Sequence, residues 1–200
     1  MKNIILIALI LISANTYSQV GRVGAPSSAS KDRSTNATTI IDYSRYEVHG
    51  GSHYYVCGYS VVASGDSLDF QLTTSNTRKW IHMTFQIEGT QETTIEIFET
   101  ATVASDGDAI TAYNNNRNSS NTTSLTLLQE GGTVSAIGTL IYSELIGVAG
   151  NPTQARQGIS ERDNEIILKQ NTTYRFVLTS GGNDNNMSYC GEWYEHTNKN

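Results

Sequence analysis

Two hundred residues, 38% of them apolar and 16% charged, suit one compact domain with a short tail and little more. Two prolines and the lack of a Gly-X-Y period exclude collagen, and a composition rich in Thr, Ser, Asn and Gly excludes a coiled coil. A net charge of −6 leaves no basic stripe to release counterions from phosphates, so nucleic acid is not an expected partner.

Residues 1–18 have the three parts of a secretory signal. Lys2 is the lone charge, 4–12 (IILIALILI) is an unbroken apolar run, and 13–18 (SANTYS) supplies small residues before Gln19. The run is too short to span about 30 Å of hydrocarbon as a helix. It predicts either a segment cleaved before Gln19 or an uncut arm packed on a neighbouring subunit. Residues 19–39 show neither apolar period and are rich in Gly, Ser, Ala and Thr, which predicts a flexible arm.

From residue 40 onward the apolar period is two. In 79–88 (KWIHMTFQIE), Ile81, Met83, Phe85 and Ile87 share one face. Leu68, Phe70 and Leu72 do so in 67–73, and Tyr174, Phe176 and Leu178 in 172–179. Such alternation predicts half-buried strands. Further strands are expected at 53–62, 93–100, 123–128, 134–148, 164–169 and 187–195, with a polar helix over 153–162. Turn chemistry separates them at 64–66 (SGD), 106–108 (DGD), 131–132 (GG), 150–152 (GNP) and 181–184 (GGND). The expected fold over 40–200 is therefore all-β: a single antiparallel β-sandwich, jelly-roll-like.

Little in the chain reads as chemistry. No HExxH, GxSxG, GxGxxG or Walker-type motif occurs, so no catalytic group, metal or cofactor is expected. His49 and His53 are four apart, but Gly50 and Gly51 between them oppose the helix that would pair them on a metal. Glu192 and Glu195 flank Trp193 and Tyr194; their odd spacing puts them on opposite faces of a strand, unsuited to shared hydrolysis of a glycosidic bond. Cys57 and Cys190 are the only cysteines, and they form either a disulfide from an early strand to the last or two buried thiols. The segment 114–121 (NNNRNSSN) predicts a loop built from side-chain-to-backbone hydrogen bonds: either a solvated connection, or one in which Arg117, held by the asparagines, forks onto a carboxylate or carbonyl of the sheet or of a neighbouring subunit.

The ordered segments 46–54 (YEVHGGSHY), 73–83 (TTSNTRKWIHM), 95–100 (IEIFET), 114–119 (NNNRNS), 166–174 (IILKQNTTY) and 193–197 (WYEHT) carry a family likeness. The chain resembles small β-rich virion proteins of tailed bacteriophages over about 43–198. The resemblance implies a non-enzymatic virion-surface part (capsid decoration, head fibre or tail-associated component), with neighbouring subunits or further copies of itself as partners. It transfers no catalytic residue. Export would instead suit a binding module for cell-surface glycans, using Tyr54, Tyr55, Trp193 and Tyr194. A third expectation is an extracellular filament subunit whose arm completes a neighbour's sheet by strand addition.

Overall fold

The computed structural model describes residues 43–148, 155–157 and 165–197. The signal-like segment 1–18 and the arm 19–39 lie outside the described residues. The strands whose alternation is cleanest carry the core. β1 (His53–Val62) and β2 (Ser67–Thr73) form as expected, and β3 (Lys79–Gly89) runs one residue further. β4 (Thr93–Glu99), β10 (Thr139–Ile146), β13 (Thr173–Ser180) and β14 (Asn185–Thr197) supply the other long strands.

Between them lie short pieces: β5 (Thr102–Ser105), β6 (Asp108–Ala109), β7 (Tyr113–Asn114), β8 (Leu127–Glu130), β9 (Thr133–Ala136), β11 (Ala155–Gln157) and β12 (Ile166–Leu168). All pairings are antiparallel. Sheet I runs β11-β3-β14-β1-β7 with β12 also on β3, sheet II runs β10-β4-β13-β2-β8-β6, and β5 pairs with β9 apart from both. Within the two large sheets, β1, β14, β3 and β11 interleave with β2, β13, β4 and β10. That is the strand order of a jelly roll, so the fold is an all-β antiparallel sandwich.

The inward faces meet in an aromatic and aliphatic core. Ile81, Met83, Phe85 and Ile87 of sheet I are buried against Leu68, Phe70, Leu72, Phe176 and Leu178 of sheet II. Phe70 is stacked between Phe176 at 4.3 Å and Tyr189 at 4.4 Å, centroid to centroid. Gly58 makes the last contact fit: a Cβ there would lie 2.6 Å from the Tyr189 hydroxyl oxygen, so only glycine leaves the ring its place opposite β1.

Cys57 and Cys190 are bonded. They face each other on β1 and β14 with Cα atoms 4.2 Å apart, on the outer side of sheet I rather than among the buried residues. The alternative of two buried thiols is thereby corrected.

Three expectations about elements are also corrected. Residues 155–157 are not helical but form β11, pairing with Ile87, Glu88 and Gly89; the rest of the expected helix, 153–154 and 158–162, lies outside the described residues. Pairing to an open edge outweighs the weak helix preference of so polar a segment. The strand expected over 134–148 is split at Gly138, whose φ of +91° turns the chain between β9 and β10. The segment expected as a strand over 123–128 is loop as far as Thr126.

The period of two also fails at the start, where Tyr43–Gly50 forms helix α1. Its end has a full hydrogen-bonded cap: Gly51 N–H donates to Val48 O at 3.1 Å and Ser52 N–H to Glu47 O at 2.9 Å, with Gly51 at φ +71°. No helix among the described residues is long and apolar enough to cross a membrane.

Candidate functional site: the outer face of sheet I

Strand parity decides which side chains leave the core. On β1, Tyr54 and Val56 point in while His53, Tyr55, Cys57 and Tyr59 point out. On β14, Trp193 and Glu195 point in while Cys190, Glu192, Tyr194 and His196 point out. β3 adds Trp80, His82, Thr84 and Gln86 to the same outer side.

Register then aligns these residues in rows across the sheet. One row reads Tyr113, Tyr55, Glu192, Thr84. The two tyrosine rings have centroids 5.8 Å apart, and the Arg117 guanidinium lies 5.3 Å from the Tyr113 ring centre. Tyr113 is 46% exposed. Beside this row Thr84, Gln86, Cys190 and Glu192 line a depression of about 220 Å³. Aromatic rings next to polar groups on the outer face of a sheet can stack a sugar ring and hydrogen-bond its hydroxyls.

The neighbouring row reads His53, Tyr194, His82, Ile167. Tyr194 is held between the two imidazoles, stacked on His82 at 4.6 Å, and its hydroxyl donates to Glu165 Oε1 at 2.9 Å. His53 Nδ1 lies 2.6 Å from Asn115 Nδ2.

The residues singled out for glycan contact therefore separate. Tyr55 stands on the outer face as required. Trp193 (0% exposed) and Tyr54 (1%) are in the core, so a glycan cannot reach them. Adjacent residues of a strand point to opposite faces, so neither the Tyr54–Tyr55 pair nor the Trp193–Tyr194 pair can present both rings. Tyr194 faces outward but is covered by its histidine neighbours.

Arg117 is exposed and lies over Tyr113 in a cation–π contact, as the solvated-loop alternative has it rather than a fork onto the sheet. The surrounding segment is the expected loop. Asn116 N–H donates to Asn114 Oδ1 at 2.8 Å and Asn118 N–H to Asn116 Oδ1 at 3.2 Å, while Asn114 and Asn121 amides both donate to Gly51 O.

The paired carboxylates part as their spacing requires. Glu192 is exposed, whereas Glu195 is buried and accepts from Thr123 Oγ1 at 2.6 Å, Ser124 N–H at 2.8 Å and Trp193 Nε1 at 3.3 Å, with Lys79 Nζ at 3.4 Å. So fully partnered a carboxylate ties the loop to the sheet. Burial and the Glu195 charge push the Tyr54 phenol up to about 12; its hydroxyl donates to Thr122 O at 2.9 Å. No group of three or more His, Cys, Asp or Glu among the described residues is arranged to hold a metal.

Sequence reasoning missed Tyr113, Thr84 and Gln86. Tyr113 lies in a two-residue strand, too short to show a period, whereas Thr84 and Gln86 share the outward parity legible in 79–88. Compared with family models, curated proteins and solved structures, the chain finds no match in any of the three.

Proposed function

We propose that the protein is an exported, non-enzymatic β-sandwich module that binds surface glycans on the outer face of sheet I. The observation that carries this reading is the row of Tyr113 and Tyr55 beside Glu192 and Thr84, flanked by the depression that Gln86 helps to line. The adjacent tyrosine rings, tilted against each other, supply apolar contact with little conformational freedom to lose, and the polar groups beside them supply direction. A disulfide on the solvent side of the sheet supports export, because such bonds persist in oxidising compartments. A glycan array probed with the parent, Tyr55→Ala and Tyr113→Ala tests the reading.

A second reading, the virion-surface component, is favoured by one observation. β10 is an outer strand of sheet II in the described residues, and it exposes Leu140, Ile141 and Leu145. An apolar sheet edge suits a subunit contact. Mass spectrometry of purified particles tests this reading, and absence of the protein from them removes it.

A further inference from the structure

The outer side of sheet II carries a buried polar pair. β2 turns Leu68, Phe70 and Leu72 into the core, so Asp69 and Gln71 leave on the opposite side. Gln71 and Gln129 stand directly across from each other on β2 and β8. The turn from β8 to β9 closes over this side. Its Gly131 N–H donates to Asp69 Oδ1 at 3.1 Å, and Arg175 Nε donates to Asp69 Oδ2 at 2.8 Å. Beside that tie Gln71 is 0% exposed and Gln129 3%. Both Nε2 atoms and Gln71 Oε1 have no hydrogen-bond partner among the described residues. A Cβ on Gly132 would lie 2.7 Å from Gln71 Nε2, 2.8 Å from Gln129 Nε2 and 3.0 Å from Ser105 O, so these three atoms converge beside Gly132. The two nitrogens are therefore at most about 5.5 Å apart, a span that one bridging molecule covers with two hydrogen bonds of ordinary length.

We propose that Gln71 and Gln129 bind internal water, which accepts from both amides, donates to Ser105 O and fastens the β5–β9 ribbon to the outer side of sheet II. The donor set selects the ligand. Two amide N–H groups oppose a cation, and the Ser105 and Gln71 carbonyl oxygens oppose an anion, whereas water both donates and accepts. A buried water makes about three hydrogen bonds to polar groups otherwise unmet, which is the number gathered here. The ribbon needs such a tie, because it pairs with neither large sheet and two strands alone are marginally stable. Ser105 ends β5 and Gly132 leads into β9, so the water joins both ribbon strands to β2 and β8. This inference is independent of glycan binding, which uses the other sheet.

Water–protein Overhauser spectroscopy of the full, isotope-labelled chain tests it, with Gln71→Met and Gln129→Met assigning the two side-chain amides. The expected result is a cross-peak from long-lived water at each amide. A folded parent that lacks either cross-peak overturns the proposal, the amides then pairing directly with one of them turned end for end. The fastening is read by hydrogen exchange. Gln71→Met should speed backbone exchange in β5 and β9 by about tenfold while β3 and β14 keep the parent's rates. Unchanged or slower exchange overturns the proposal, since removing an unmet amide relieves the fold instead of loosening the ribbon. Should Gln71→Met fail to fold, Gly132→Ala carries the same exchange test: Gly132 is outside the left-handed region, and the added methyl crowds the water from between the amides.

Discussion

Trp193 and Glu195 enter the same core from alternate positions of β14, and the indole N–H of Trp193 donates to Glu195 Oε1 at 3.3 Å. The same carboxylate holds Thr123 and Ser124, the loop segment that passes over this end of the sandwich. Glu195→Ala strands these buried donors and should cost about 3–5 kcal/mol. Glu195→Gln keeps an acceptor oxygen and should cost about 1–3 kcal/mol, since half-exposed Lys79 can turn to water. Urea unfolding measures both. Equal losses would mean that acceptor geometry is not what the carboxylate contributes.

The Cys57–Cys190 bond closes a loop spanning 133 residues of sequence. Constraining so long a loop in the unfolded chain stabilises the fold by about 2–5 kcal/mol. For a domain of this size, reduction should lower the melting temperature by about 5–15 °C. Calorimetry with and without reductant measures it, and coincident melts would contradict the assignment.

Stability should fall at both ends of the pH range. The hydrogen bond from Lys169, with a further one from Tyr174, holds the Glu99 carboxyl below its ordinary 4.5. A depressed carboxyl stabilises the fold above its unfolded pKa, and that contribution is lost as pH falls from about 4.5 through the lower folded value. Glu99→Gln should therefore flatten the acid limb of a stability–pH curve. An acid limb of unchanged slope would show that Glu99 does not shape it.

On the alkaline side, burial pushes the phenols of Tyr54 and Tyr142 up to about 12, and raises those of Tyr174 and Tyr189 further. Raised acids leave stability intact below the unfolded value near 10 and remove it as pH climbs through the folded values. Ultraviolet titration should find these four phenols ionising late, as the fold is lost. Reversible ionisation of all eleven tyrosines near pH 10 in folded protein would contradict their burial.

The core was legible because its strands alternate. Phe85 lies where the pattern puts it, edge-on to Phe176 at 5.8 Å and Tyr142 at 5.3 Å, and Phe85→Ala should cost about 3–5 kcal/mol in chemical unfolding. Helix α1 left one clue in the sequence, the Gly50-Gly51 pair, which reads as a break between two histidines and is in fact the helix cap. β11 left none, because a three-residue edge strand is set by its partner rather than by its own pattern. The outer face of sheet I was half legible. The parity that separates Glu192 from Glu195 also separates Tyr54 from Tyr55 and Trp193 from Tyr194. Tyr113 and the burial of Tyr194 between two histidines depend on register across strands distant in sequence, which no local pattern carries.

The most direct test is glycan binding by the outer face of sheet I. The parent should bind a surface glycan on an array. Tyr55→Ala and Tyr113→Ala should each weaken that binding by about tenfold or more, a loss of about 1.4 kcal/mol, with melting temperatures unchanged. A blank array for the folded parent, or full binding by a Tyr55→Ala/Tyr113→Ala double variant, would contradict the account.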